Sequence, residues 1–383
     1  MRVVKITANF YPLMCGIGDY TRTLAENLVN LKKDISFYII TSANPRIKES
    51  CYSYDRIEVL PIISVWSFKA LFKIRKVVKE ISPDIVHIEY NRMLYGCNIA
   101  MNFLPYLLKM GNPSYKIIIT FHDLPHPIKN RDPFFWLTNL ANLIYCDRAI
   151  FTNDADFSSF ILRLPFVKRK STLVPVGSNI PKVEGRRAFI RRELNISDDE
   201  MLLSFFGFIR EDKGLIELFL ALSQLVRGGR KLRLLIIGGI LNREKFLVLQ
   251  GLSHKLNLDG KVIWTGYQLD KRVSQLLSAS DIAVLPNRNG MGTNSGVLAA
   301  CALHNLPIVT TKAKVMPEII RDNHNAMLVT PRNVKELTNV LFRVRRDPNS
   351  RKRLSENLKG LNEYLSWRRI SQEIFNLYAR LWQ

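Results

Sequence analysis

Cysteine is scarce in this chain of 383 residues: Cys15, Cys51, Cys97, Cys146 and Cys301 are scattered, odd in number, and never at C-x-x-C spacing. Zinc and redox motifs therefore lose their basis, and all five are expected to be unpaired thiols. Long hydrophobic runs are missing too. The best candidate, residues 93–108, is uncharged but is broken by Asn98, Asn102 and Pro105, so no membrane span is expected. The N-terminus runs straight into the strand-like Val3-Val4-Lys5-Ile6 without the features of a signal peptide, so a cytoplasmic location is expected. No G-x-S-x-G elbow, Walker loop or H-E-x-x-H sequence occurs, which leaves hydrolase, NTPase and zinc-protease readings without support. Negative charge is in short supply. Against 56 Lys and Arg stand 33 Asp and Glu, a net charge of +23 that predicts attraction to phosphate-bearing partners. No nucleic-acid readout motif accompanies that charge, so nucleic acid is not expected as a partner.

What is present is a large apolar complement, 47% of residues, in a chain longer than a single core supports, so two domains are expected. Short β-branched runs alternate with helical patterns throughout, the signature of β-α units and parallel sheets. A first series of strands is predicted at 3–9, 35–41, 56–61, 85–88, 116–120, 148–152 and 172–176. Helices are predicted at 20–31, 67–81, 95–110 and 156–162. A second series restarts at 202–206 and continues through 232–237, 262–265, 282–285, 308–310 and 326–329. The Gly- and Pro-punctuated residues 177–185 read as a linker. The expected fold class is α/β, with two Rossmann-like, doubly wound parallel-sheet domains facing a central cleft. Their boundaries are 1–180 and 181–366, with a C-terminal helix, 367–383, that crosses back to the first domain. Ligands of such sheets bind beyond the carboxyl ends of strands, so the loops there carry the candidate residues.

Three loops stand out. After the first strand, Gly16-Ile17-Gly18-Asp19-Tyr20 precedes an amphipathic helix. Its glycines would let a ligand approach the backbone, although a plain tight turn explains them as well. In the second half, Gly207-Phe208-Ile209-Arg210-Glu211-Asp212-Lys213-Gly214 lies between a buried strand and a helix. Arg210 and Lys213 could converge there on a phosphate, or belong to a solvated charged turn. The third loop, residues 285–296, sets Gly290, Gly292 and Gly296 with Thr293, Asn294 and Ser295 at another helix N-terminus, suited to an anion or a sugar.

In order and spacing these segments resemble the retaining glycosyltransferases of family 4. Ile85-Val86-His87-Ile88, Thr120-Phe121-His122-Asp123, Val174-Pro175-Val176-Gly177, Thr265-Gly266-Tyr267, Ser280-Asp281 and Leu306-Pro307-Ile308-Val309 carry the likeness further, over nearly the whole chain. The resemblance implies the two-domain GT-B fold and a nucleotide-diphosphate sugar as donor; no cofactor is expected, and the histidines show no ligand spacing, so no catalytic metal is expected either. The resemblance also implies that Gly16, Gly18, Arg210 and Lys213 bind the donor diphosphate and that His122 is catalytic, reaching the donor sugar. Thr293, Asn294, Ser295 and Gly296 would form the donor sugar and phosphate loop. The chain departs from the family pattern at the paired glutamates spaced seven apart, whose positions hold Thr293 and Ala300, and at the Arg after the first glycine, replaced by Phe208. The acceptor implied is a glycan or lipid-linked sugar in cell-surface polysaccharide or glycoconjugate synthesis. A non-catalytic transferase-like binding protein and a nucleotide-sugar 2-epimerase are the competing readings.

Remaining features admit plainer explanations. Asp154-Ala155-Asp156 matches a metal-binding Asp-x-Asp but reads as a helix start. His87, at a strand end, reads as a packing residue. Residues 65–81 place Lys69, Lys73 and Lys76 at helical spacing beside Trp66, Phe68, Leu71, Phe72 and Ile74. That pattern fits either an anionic membrane surface, with the protein peripheral at the cytoplasmic face, or a helix packed on the sheet. The cluster Arg343-Val344-Arg345-Arg346 with Arg351-Lys352-Arg353 reads as a solvated surface.

Overall fold

A computed structural model describes all residues except 14, 45–53, 123, 125–132 and 184–185, and no side chain of residues 133–138. Cys51, Asp123, His126 and the end of the expected linker, 184–185, thus lie outside the described residues. The chain divides into two compact units, one of Met1–Val176 with Trp367–Gln383 and one of Gly177–Ser366.

The first unit holds a sheet of seven strands: β1 (Arg2–Ile6), β2 (Ser36–Ser42), β3 (Ile57–Ile63), β4 (Ile85–Tyr90), β5 (Lys116–Phe121), β6 (Arg148–Phe151) and β7 (Ser171–Leu173). Their order is β3-β2-β1-β4-β5-β6-β7, every neighbouring pair parallel. The direction of winding reverses between β1 and β4, where doubly wound sheets bind ligands. Helices α1 (Gly16–Leu31), α2 (Phe68–Ile81), α3 (Leu104–Gly111), α4 (Pro133–Tyr145) and α5 (Asp154–Arg163) connect the strands, and α14 (Trp367–Trp382) packs on α1. Strand residues alternate between two cores. Val4, Ile6, Val86, Ile88, Ile117 and Ile119 face the α2 and α3 side, while Val3, Phe37, Ile39, Ile85 and Ile118 share a core with α1 and α14.

The second unit repeats the scheme with β8 (Met201–Phe206), β9 (Leu232–Ile237), β10 (Val262–Gly266), β11 (Ile282–Leu285), β12 (Ile308–Thr311) and β13 (Met327–Val329). Here the order is β10-β9-β8-β11-β12-β13, again all parallel, with the reversal between β8 and β11. Its helices are α6 (Arg187–Glu193), α7 (Leu215–Arg227), α8 (Arg243–Lys255), α9 (Asp270–Ala279), α10 (Gly296–Leu303), α11 (Val334–Arg346), α12 (Pro348–Glu356) and α13 (Leu358–Tyr364). Asp281 pins α6 to this sheet: its carboxylate takes Arg191 Nη1 at 3.1 Å and the Leu202 amide at 2.7 Å, and Arg187 bonds its other oxygen.

Several expectations need correction. The helix predicted at 95–110 begins only at a short 3-10 turn, Ala100–Phe103, because Gly96 and Cys97 hold φ of 68° and 59°, outside the helical region. Strand β7 ends at Leu173 rather than 176. Helix α1 begins at Gly16, so the two glycines form its first turn instead of a loop ahead of it. A Cβ at Gly18 would lie 2.9 Å from Asn9 O, so this glycine allows α1 to sit against the end of β1. The 65–81 segment also divides: Trp66, Leu71 and Ile74 are core, whereas Val65, Phe68 and Phe72 face outward, 70%, 51% and 62% exposed. Within the C-terminal basic cluster Val344 is core, and Arg351 donates to the carbonyls of Val344 and Arg345 that end α11.

Candidate functional site

In the second unit the two candidate loops leave adjacent strands at the winding reversal, one after β8 and one after β11. They are tied together. Arg288 N donates to Asp212 O at 2.8 Å, and Gly214, at φ 70°, packs so closely on Pro286 that a Cβ would lie 2.0 Å from its carbonyl oxygen. Arg210 and Lys213 both lie on Asp212. The guanidinium binds it with two hydrogen bonds, 2.9 and 2.6 Å, and the ammonium stands 3.9 Å away. Half-buried Asp212 is ionised; burial opposes this, but Arg210 and Lys213 hold its carboxyl below the usual carboxylate range. This carboxylate therefore offsets, and also fixes in place, the two cations read from the sequence.

Ser295 caps α10, its hydroxyl accepting from Leu298 N at 3.2 Å, so Gly296 opens the helix and the amides of Gly296 and Val297 are the first-turn groups left to meet an anion. Thr293 is fully buried. Residues 287–304 contain no Asp or Glu, and Ala300, in the core, presents no side chain to a ligand. One functional candidate was not read from the sequence. Arg288 reaches from the β11 loop to Glu217 in the first turn of α7, Nε to Oε1 at 2.8 Å, with Glu211 at 3.6 Å. Its partner lies 71 residues away, and nothing local in the sequence signals that pairing. Phe208, the residue replacing the usual Arg, lies against Gly239, where a Cβ would meet its ring at 3.1 Å and Tyr267 Cβ at 3.7 Å.

In the first unit the structure places His122 directly after β5, 5% exposed, with its backbone N bonded to Tyr90 O at 3.0 Å. Tyr20, in the helix that Gly16 and Gly18 begin, stands edge-on to the His122 ring at 4.9 Å. The glycine turn and His122 thus belong to one end of this sheet. Beneath them lies a polar column that sequence reading missed: Lys5 on β1, His87 and Glu89 on β4, and Thr120 on β5, all fully buried. Each alternates with apolar residues along its strand, and only the strand register brings them together. Glu89 pairs with Lys5 through Oε1, and its Oε2 accepts from His122 Nε2 at 2.8 Å. Burial alone would raise the Glu89 pKa, but Lys5, His87 and His122 together carry it well below the usual range. Burial lowers the Lys5 ammonium against the opposing pull of Glu89.

His87 is the packing residue of this column. Burial, with Lys5 next, pushes its pKa down to about 3, so the ring is neutral at pH 7. Its Nδ1 faces Tyr378 Oη at 2.6 Å and Lys5 Nζ at 3.4 Å, and its Nε2 faces Thr120 Oγ1 at 2.7 Å. Burial raises the Tyr378 phenol well above its ordinary value. A protonated phenol and an ammonium both donate to Nδ1, which assigns the His87 proton to Nε2.

Asp154 and Asp156 open α5. Asp156 Oδ2 accepts from Asn153 Nδ2 at 2.7 Å and Leu124 N at 3.1 Å, while Asn153 caps the helix by accepting from Asp156 N at 2.8 Å. Among the described residues, no three His, Cys, Asp or Glu side chains gather as a metal site. No helix among them is long and apolar enough to cross a membrane.

Comparison with known proteins places this geometry. Residues 186–360 match the family model described as glycosyl transferases group 1. A relative, an uncharacterized glycosyltransferase of Methanocaldococcus jannaschii, is 26% identical over 190 residues, 49% of this chain and 47% of that protein. The chain thus aligns with about half the length of this curated relative. Among solved structures, sucrose-phosphate synthase from Thermosynechococcus elongatus superposes with a TM-score of 0.80 at 18% identity, covering 100% of this chain and 99% of that one. HepE of Anabaena, in complex with UDP, gives 0.79 at 15% identity, covering 99% and 100%. The chain has the GT-B fold, two parallel-sheet α/β units, and the second unit is the one that matches the glycosyl transferases group 1 model.

Proposed function

We propose that the protein is a retaining family 4 glycosyltransferase. It moves a hexosyl unit from a nucleoside diphosphate sugar to a glycan or lipid-linked acceptor, in cell-surface polysaccharide or glycoconjugate synthesis at the cytoplasmic membrane face. The observation that carries this reading is the pair of tied loops at the β8/β11 reversal. They hold Arg210 and Lys213 on Asp212, whose carbonyl takes Arg288 N of the β11 loop, and they bring Gly207 of the β8 loop to Val297 in the first turn of α10, all within the part of the chain that matches the glycosyl transferases group 1 model. The UDP complex of HepE supports a nucleotide donor.

In this proposal the second unit takes the donor. Arg210 and Lys213 neutralise the diphosphate as charge develops on it, and the α10 amides add fixed dipoles. Asn294 and Ser295 offer neutral hydrogen bonds to sugar hydroxyls in place of a carboxylate, whereas the expected contribution of Thr293 is corrected: its side chain is fully buried and supports the loop from within. The bond between C1 and the leaving phosphate oxygen breaks, the acceptor oxygen bonds to C1 from the same face, and the departing phosphate takes the acceptor proton. Gly16, Gly18 and His122 belong to the first unit, where His122 addresses a sugar hydroxyl. No metal ion is assigned a role.

Thr293 and Ala300 at the glutamate positions favour a second reading, a protein that binds the donor without transfer. Incubation with UDP-, GDP- and ADP-sugars and a panel of lipid-linked and free glycans, with detection of both nucleotide and glycosylated product, separates the two. Product with retained anomeric configuration is expected. Binding without turnover supports the second reading, and an epimerised free sugar nucleotide supports the 2-epimerase.

A further inference from the structure

The face of the first sheet that packs on α1 and α14 is apolar at its N-terminal end, with Val3, Ile85 and Ile118, and becomes polar along the same three strands. Lys5, His87, Glu89 and Thr120 follow in register and end at His122. An ionised pair inside a core gives little or no net stability over apolar side chains of the same volume, so its retention calls for a role. The column has one outlet. Its only member with any exposure is His122, and Glu89 Oε2 holds that ring by Nε2 at 2.8 Å.

We propose that Glu89, kept ionised by Lys5, is a positioning residue that fixes the tautomer and orientation of His122 so that Nδ1 is the nitrogen presented to a sugar hydroxyl. A carboxylate only accepts hydrogen bonds, so His122 Nε2 must carry the hydrogen. In the neutral ring, Nδ1 is then a lone-pair acceptor, and among the described residues no partner occupies it. The Tyr20 ring, T-shaped to the imidazole with centroids 4.9 Å apart, limits its rotation. The charged and titratable groups around the pair are Lys5, His87, Tyr20, Tyr95 and Tyr378. Burial, the largest effect, keeps all three phenols protonated, and His87 is neutral, so among the described residues Lys5 is the one counter-charge. Lys5 thus acts on Glu89, and Glu89 on His122. The same logic orients histidines in hydrolytic triads, where a buried carboxylate selects the tautomer without itself accepting the proton. The inference rests on the proposal that His122 meets a sugar hydroxyl, and it supplies the polarity of that contact, with the ligand as donor.

The test uses the full-length protein with 15N-labelled histidine. In a pH series carried to the neutral form of the ring, wild-type His122 should show a protonated Nε2 and a bare Nδ1 without any ligand; a neutral ring protonated on Nδ1 overturns the proposal. Glu89→Gln removes the obligatory acceptor, so a population protonated on Nδ1 should appear. Donor turnover should fall about tenfold to a hundredfold, the usual consequence of deleting a group that orients a histidine. Affinity for UDP should stay within about threefold, and His122→Ala/Glu89→Gln should be no slower than His122→Ala alone. Wild-type turnover in Glu89→Gln, or losses that multiply in the double variant, overturn the proposal. Because Glu89→Gln leaves Lys5 without its counter-ion, Lys5→Met/Glu89→Gln provides a folded variant with neither charge, and it must show the same tautomer change. If the wild-type protein turns over no donor, the functional reading fails, and the wild-type tautomer still decides the inference.

Discussion

Gly214→Ala measures how tightly the two donor-side loops depend on each other. The residue has a φ of 70°, where a Cβ costs about 1–2 kcal/mol. That Cβ would also lie 2.0 Å from Pro286 O and 2.9 Å from Pro286 C. Both are backbone atoms, so relief requires moving one loop away from the other, an overpacking cost of about 1–3 kcal/mol. The sum is about 2–5 kcal/mol. Gly229 is the matched control, also in the second unit, with φ 73° and nothing within 4 Å of an added Cβ, so Gly229→Ala should cost only the backbone term of about 1–2 kcal/mol. Native-state hydrogen exchange of the β8, β9 and β11 amides reports the stability of this unit by itself, which a global transition of a two-unit chain does not. The Gly214 variant should also lose the Arg288 N to Asp212 O bond and bind nucleoside diphosphates more weakly, while the Gly229 variant binds as the wild type does. Equal destabilisation by the two substitutions, or wild-type nucleotide affinity in Gly214→Ala, would refute the claim that this contact builds the site.

Other outcomes follow from the same structure. Arg288→Ala leaves the nearly buried Glu217 carboxylate without its guanidinium and should cost about 2–3 kcal/mol, with Arg288→Ala/Glu217→Gln recovering part of the loss; native-state hydrogen exchange of the second unit in these two variants and the wild type checks it. Acid should destabilise the first unit before its carboxylates titrate. His87 stays neutral down to about pH 3 when folded, whereas an unfolded histidine takes up a proton near pH 6.5, so the unfolded state binds more protons in that window. Stability should therefore be complete above pH 6.5 and fall below it by about 1.4 kcal/mol per pH unit from this residue, and His87→Gln should abolish that part of the slope. If the anionic surface is real, binding to vesicles containing phosphatidylserine should weaken in Phe68→Ser/Phe72→Ser, whose side chains are exposed, and in Lys69→Glu/Lys76→Glu. Wild-type protein that ignores such vesicles at low salt removes the membrane from the account.

Much of the fold is legible because buried parallel strands are written as short, nearly continuous apolar runs. Leu232–Ile237 and Ile282–Leu285 have the bounds that their composition suggests. The misread stretch at 95–99 fails for a local reason, two successive positive φ angles at Gly96 and Cys97 inside an otherwise helical pattern. Helix α4, absent from the sequence reading, lacks the polar face that marks an amphipathic helix, since Pro133-Phe134-Phe135-Trp136-Leu137 opens it. The loops of the second unit were visible because their glycines and cations are contiguous in the sequence. The Lys5, Glu89 and Thr120 side chains beneath His122 were not. In a strand, a polar residue among apolar ones reads as the solvent side, and only the pairing of β1, β4 and β5 turns three such residues into one buried group. Arg288 escaped for the same reason, its meaning set by Glu217 on a distant helix.

The central claim, that the tied loops of the second unit hold a nucleoside diphosphate, is tested most directly by calorimetric titration with UDP, GDP and ADP, alone and as sugar conjugates. Wild-type protein and Arg210→Ala/Lys213→Ala would be compared side by side. The account predicts saturable binding of at least one nucleotide series, lost or weakened at least about tenfold in the variant. No binding by any of them, or equal binding by both proteins, would contradict it.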